Sequence, residues 1–115
     1  MHYDRKILMF VGEIEGILFV CEEEPTADYE KKLHEVAKNY YSNLDSIIEF
    51  MMPGLQEEYG DIDVETVKEK LGKPMIDYDN GVVDYCEQEF DYRSNFNFEF
   101  YDDEFKDLRY FSIYG

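Results

Sequence analysis

The sequence predicts an α+β fold: one antiparallel sheet of about five to six strands, order β-β-α-α-β-β-β-β, with one long and one short helix packed on one face. Three observations lead there. Apolar residues recur at spacings of three and four from Leu33 to Met51, but alternate with a period near 2 after Pro74. Asn80-Gly81 stands between two strand-like runs, a strong hairpin signal. The chain has 115 residues and neither a Ser/Gly/Pro-rich linker nor a repeat, so residues 1–115 are read as a single acidic domain.

Ile7 to Val11 and Ile17 to Cys21 read as the first two strands, joined by the glycine-flanked turn Gly12 to Gly16. Both runs are continuously apolar, which predicts a hairpin covered on both faces, centrally in a sheet or under a helix. Glu22-Glu23-Glu24 and Pro25 stop the second strand. Thr26 can then cap a helix, with Asp28 in its first turn. Its apolar stripe is Leu33, Val36, Ala37, Tyr40, Leu44, Ile47, Ile48 and Met51, and Pro53-Gly54 is expected to end it. That helix would run roughly 25 residues, or about 38 Å, which makes a kink near Ser42-Asn43 reasonable.

Gln56 to Asp61 reads as loop. A short helix follows, with Asp63 as cap, Ile62 and Val67 as hydrophobic staple, Gly72 at its left-handed end and Pro74 as the stop. A two-residue turn at Asn80-Gly81 would place Ile76 opposite Tyr85 and Asp77 opposite Asp84. Ile76, Tyr78, Val83 and Tyr85 would then share the face against the long helix. Phe96, Phe98 and Phe100 form one face of the next strand, with Asn95, Asn97 and Glu99 on the other. Asp102-Asp103 turns the chain into the last strand, Leu108 to Tyr114. Plain alternation there pairs Phe111 with Ile113 on one face and Leu108 with Tyr110 on the other.

Composition narrows function by exclusion. Twenty-eight Asp and Glu against eleven Lys and Arg give a net charge of -17. Such a surface repels nucleic-acid phosphates and anionic membrane leaflets, so neither is an expected partner. Cationic proteins, peptides or metal ions remain, and solubility alone is a sufficient reason for the acidity. Aromatics at 17% and hydrophobic residues at 44% argue against disorder. Cys21 and Cys86, each in a strand-like run, read as buried thiols rather than a disulfide. The basic N-terminal residues precede an apolar run too short for a signal peptide, and a cytoplasmic location is expected.

Catalytic signals are missing. His2 and His34 are the only histidines, neither placed near a cysteine in sequence, and no glycine-rich phosphate loop, serine elbow or zinc spacing occurs. The chain is therefore expected not to be an enzyme. Asp77, Asp79 and Asp84 form the best local carboxylate cluster, suited to calcium or magnesium, the only cofactors the sequence leaves open. A calcium loop starting at Asp77 fails, because Val82 stands where glycine is needed and Gln88 where the closing glutamate belongs.

The most informative feature is a series of aromatics threaded through acid after Tyr85. Tyr92, Tyr101 and Tyr110 are the tyrosines not explained by a core face, and Glu87, Glu89, Asp91, Asp102, Asp103 and Glu104 are interleaved among them. Aromatic anchors in an acidic rim suit a basic protein partner. In size, charge and aromatic content the chain resembles the small immunity proteins that neutralise basic bacterial toxins. That resemblance implies a non-catalytic, inhibitor-like, protein-binding domain. A self-associating structural domain, monomer or homodimer, is the alternative; a nucleic-acid mimic and a carboxylate-dependent enzyme rank below it.

Overall fold

In the computed structural model of the chain, which describes residues 1–115, seven strands form one sheet, ordered in space as in sequence. They are β1 (His2–Asp4), β2 (Met9–Ile14), β3 (Ile17–Cys21), β4 (Met75–Asp77), β5 (Val82–Tyr85), β6 (Asn95–Phe100) and β7 (Leu108–Tyr114). Helices α1 (Ala27–Ser42), α2 (Leu44–Tyr59) and α3 (Val64–Lys70) lie between β3 and β4. The α+β class is as expected, but the sheet exceeds five or six strands and is mixed rather than antiparallel. β3 and β4 pair in parallel, a geometry that needs a long crossover, and the helical segment supplies it. The added strand is β1, where His2 pairs with Val11 and Tyr3 packs edge-on against Phe10.

β2 starts and ends later than the apolar run Ile7 to Val11 suggests. Leu8 turns the chain at φ 58°, and only Glu15 (φ 52°) and Gly16 (φ 79°) separate the paired Ile14 and Ile17. Two successive left-handed residues are what a two-residue hairpin turn requires. Gly12 and Glu13, expected in that turn, are strand residues opposite Phe19 and Leu18.

The long helix is two helices. Thr26 caps α1, its Oγ1 accepting from the Tyr29 N–H at 3.1 Å. Asn43 breaks the run: its Nδ2 donates to the Asn39 carbonyl at 2.9 Å, and its own carbonyl accepts from Ile47 at 2.9 Å. Pro53-Gly54 does not end α2, which continues to Tyr59 and absorbs part of the expected 56–61 loop. Pro53 is exposed, so the carbonyl it leaves unpaired faces water. Gly54 is there for clearance, since a Cβ would stand 2.7 Å from the Phe111 ring of β7. α3 is as expected, with Asp63 Oδ1 accepting from Thr66 N–H at 2.8 Å and Gly72 at φ 76°.

The β4–β5 hairpin is displaced from its expected register: Ile76 pairs with Val83 and Asp77 with Val82, so Asp77 is not opposite Asp84. Asp77 makes the difference. Its carboxylate accepts from the Asn80 backbone and side chain at 3.1 and 2.8 Å, building a four-residue loop, Tyr78 to Gly81, in place of a tight turn. The slip is by two residues, so Ile76, Val83 and Tyr85 still share the buried face.

On β7 the expected alternation fails for Leu108. Asn97 pairs with Ser112 but Glu99 with Arg109, so both Tyr110 and Phe111 face Phe98 across a β-bulge. The extra residue puts Leu108, Phe111 and Ile113 all against the core and leaves Tyr110 outside.

All three helices cover one face of the sheet. The core between the layers joins Leu33, Val36, Tyr40, Ile47, Ile48, Met51 and Leu55 to Phe19, Ile76, Val83, Tyr85, Phe96 and Phe98. Inside it the Tyr40 and Tyr85 hydroxyls meet at 2.7 Å. No helix is long and apolar enough to cross a membrane.

Candidate functional site

Strand alternation sorts the side chains of the helix-free face. Its centre is apolar: Val11 pairs with the buried Val20, and Leu18 with Met75. Around it stand Glu13, Asp77, Asp84 and Glu99. Toward β7 the face becomes polar and aromatic, with Asn97, Arg109, Ser112 and Tyr114. Glu13 is salt-bridged to Lys73, and Asp84 accepts from the Tyr114 hydroxyl at 2.8 Å. Burial, and after it that bond, lifts the pKa of the Tyr114 hydroxyl to about 12.

The expected tyrosines and acids fall into two groups, at opposite ends of β6. At its C-terminal end Tyr101 is half-exposed and donates to Glu99 at 2.9 Å. The Arg109 guanidinium lies 4.4 Å from the Tyr101 ring centre and is held by both oxygens of Asp107 at 2.9 Å. Such an arrangement fixes a planar cation on an aromatic face, and the guanidinium draws Asp107 below the usual carboxylate range. Tyr110, two-thirds exposed, follows at the bulge.

Asp102 and Asp103 are framework rather than free charge. Asp102 accepts from the backbone N–H groups of Glu104, Lys106 and Asp107, which closes the 101–107 loop. Asp103 binds Lys32 at 2.8 Å and the Tyr78 hydroxyl at 2.9 Å, tying the loop to α1; the Lys32 bond is the main cause of its lowered pKa. Glu104 alone of the three is exposed. Phe105 carries no outward signal in sequence, yet it plugs the core at 2% exposure between Tyr40 and Phe100.

At the other end of β6, residues 86–94 form a loop organised by Gln88, which sequence reasoning passed over. Its buried amide donates to the carbonyls of Asp91 and Ser94 at 2.7 and 2.6 Å, while its oxygen accepts from Phe90 N–H at 2.7 Å. Asp91 accepts from the Tyr59 hydroxyl and from the N–H groups of Arg93 and Ser94; led by the Tyr59 bond, these bring its pKa down to about 2. Glu87, Glu89 and Tyr92 project from this loop, Tyr92 with no packing at all. The two groups are separated by the six residues of β6, roughly 20 Å.

Asp77, Asp79 and Asp84 do not converge. Each has its own partner, respectively Asn80, the Tyr29 hydroxyl at 2.7 Å and Tyr114. No group of three or more His, Cys, Asp or Glu side chains is arranged to hold a metal ion. Cys21 is a buried free thiol donating to the Glu23 carbonyl at 3.1 Å. Cys86, expected buried, is exposed, because β5 ends at Tyr85 and the next residue leaves the core face. His34 is exposed on α1.

Comparison of the chain with models of known families, with curated proteins and with solved structures returned no match.

Proposed function

We propose that the chain is a non-catalytic protein-binding domain for a basic protein, an inhibitor or immunity-type role, and that the 101–107 end of the sheet with the adjoining helix-free face is its binding surface. One observation carries the reading. The tyrosines exposed there stand beside Glu99 and Glu104, which no cation of the chain pairs, whereas the neighbouring Asp103 and Asp107 are matched by Lys32 and Arg109. Aromatic area supplies affinity and uncompensated acid supplies steering toward a cationic partner. The loop at residues 86–94 is left out because its exposed tyrosine, Tyr92, has no neighbour to hold it, whereas Tyr101 is fixed by Glu99 and Arg109.

The test is affinity capture on the immobilised protein at low salt, eluted with a salt gradient. One basic protein released at a defined, moderate salt concentration supports the reading. Many basic proteins released together mean ion exchange and count against it. A concentration-dependent dimer with no other protein bound would favour the self-associating alternative.

A further inference from the structure

Four non-glycine residues occupy the left-handed region of backbone space. Three have local reasons to be there. Leu8 and Glu15 lie in hairpin turns, and Phe105 is held by its buried ring. Tyr110 has neither reason. It sits within a strand at φ 59°, at the bulge position that glycine normally takes, and is 66% exposed as a residue. A bulky residue there is strained, and the core gains little in return.

Resting on the binding role argued above, we propose that Tyr110, aimed outward by the bulge, is the anchor residue of the interface, with Tyr101 and Arg109 as its preorganised neighbours and a folded basic protein as the occupant. Three features of the cluster support this. Tyrosine and arginine dominate protein-binding hot spots. Tyr101 and Arg109 are each fixed by a carboxylate before any partner arrives, which lowers the ordering cost of association. The surrounding acids select the occupant: a second copy at -17 would meet like charge, whereas a lysine- or arginine-bearing surface meets Glu99 and Glu104.

The distinguishing experiment sets stability against binding. Tyr110→Gly, with Tyr110→Asn as a second variant tolerant of left-handed backbone, is expected to raise the thermal midpoint. The same change is expected to lower the affinity for the basic protein captured by the wild type at least about tenfold. Tyr92→Ala, at the far end of β6, should leave both unchanged. Stabilised Tyr110 variants that bind as tightly as wild type would overturn the anchor while leaving the binding role intact. Variants that lose stability would also overturn it, by showing that Tyr110 serves the fold. If the wild type holds no basic protein, the binding role and the anchor fall together; self-association unaffected by Tyr110→Gly overturns the anchor as well.

Discussion

Tyr40 of α1 and Tyr85 of β5 offer a prediction whose sign depends on how many hydroxyls are removed. They are 2% and 0% exposed, their hydroxyls meet at 2.7 Å, and neither has another partner. Tyr85→Phe leaves the Tyr40 hydroxyl buried and unpaired, at a cost of about 1–3 kcal/mol; Tyr40→Phe does the same to Tyr85. The double variant removes both hydroxyls and keeps both rings, so no desolvated group is stranded, and it should lie within about 1 kcal/mol of wild type. For a chain of this length about 1 kcal/mol moves the thermal midpoint by about 4 °C. Each single variant should therefore melt roughly 4–12 °C low, with the double recovering most of the loss. Circular dichroism melts, supported by urea midpoints at unchanged m-value, read this directly. A double variant as unstable as the two singles combined would refute the argument.

Three further outcomes follow from the same structure. Gly81→Val should destabilise the protein by at least about 1 kcal/mol, because Gly81 has φ 65° and a Cβ would lie 2.6 Å from the Phe100 carbonyl oxygen; an unmoved melting midpoint would contradict that loop. Burial raises the pKa of both Tyr40 and Tyr85. Above pH about 10 the unfolded chain therefore releases protons that the native state keeps, and stability is lost as pH rises. Urea titrations at pH 9 to 11 should show that fall, and the double phenylalanine variant should flatten it; an equal slope would rule these tyrosines out as its source. Raising salt from low ionic strength to about 0.15 M should raise the melting midpoint, since screening relieves repulsion at -17 while the partly exposed ion pairs it weakens contribute little. A midpoint that falls would mean the ion pairs outweigh the repulsion.

What was legible in the sequence was whatever period and capping chemistry govern locally. Thr26 and Asp63 cap the helices they were expected to cap, and Phe96, Phe98 and Phe100 line the core. The misreadings share a cause: a local signal was outweighed by a contact distant in sequence or by a side chain bonding its own turn. Pro53-Gly54 signals a helix end, but Phe111 of the last strand needs the gap that Gly54 leaves. Asn80-Gly81 signals a tight turn, but the Asp77 carboxylate widens it. The candidate surface was legible only as composition. Which acids are consumed internally, as Asp91, Asp102 and Asp103 are, depends on backbone N–H groups and partners that no spacing rule locates. The bulge that turns Tyr110 outward has no glycine to announce it.

The parallel junction between β3 and β4 bears on how the chain reaches this structure. β1 to β3 and β4 to β7 are each built from neighbours in sequence, so each can zip up through short connections. They meet only where Leu18, Phe19 and Val20 find Met75, Ile76 and Asp77, across the whole helical insertion. Closing that span costs more chain entropy than closing a hairpin, and three residue pairs return little until the helices pack onto both halves. Docking of the helical layer is therefore expected to limit the folding rate, which slower refolding of Ile48→Ala would show and an unchanged refolding rate would refute.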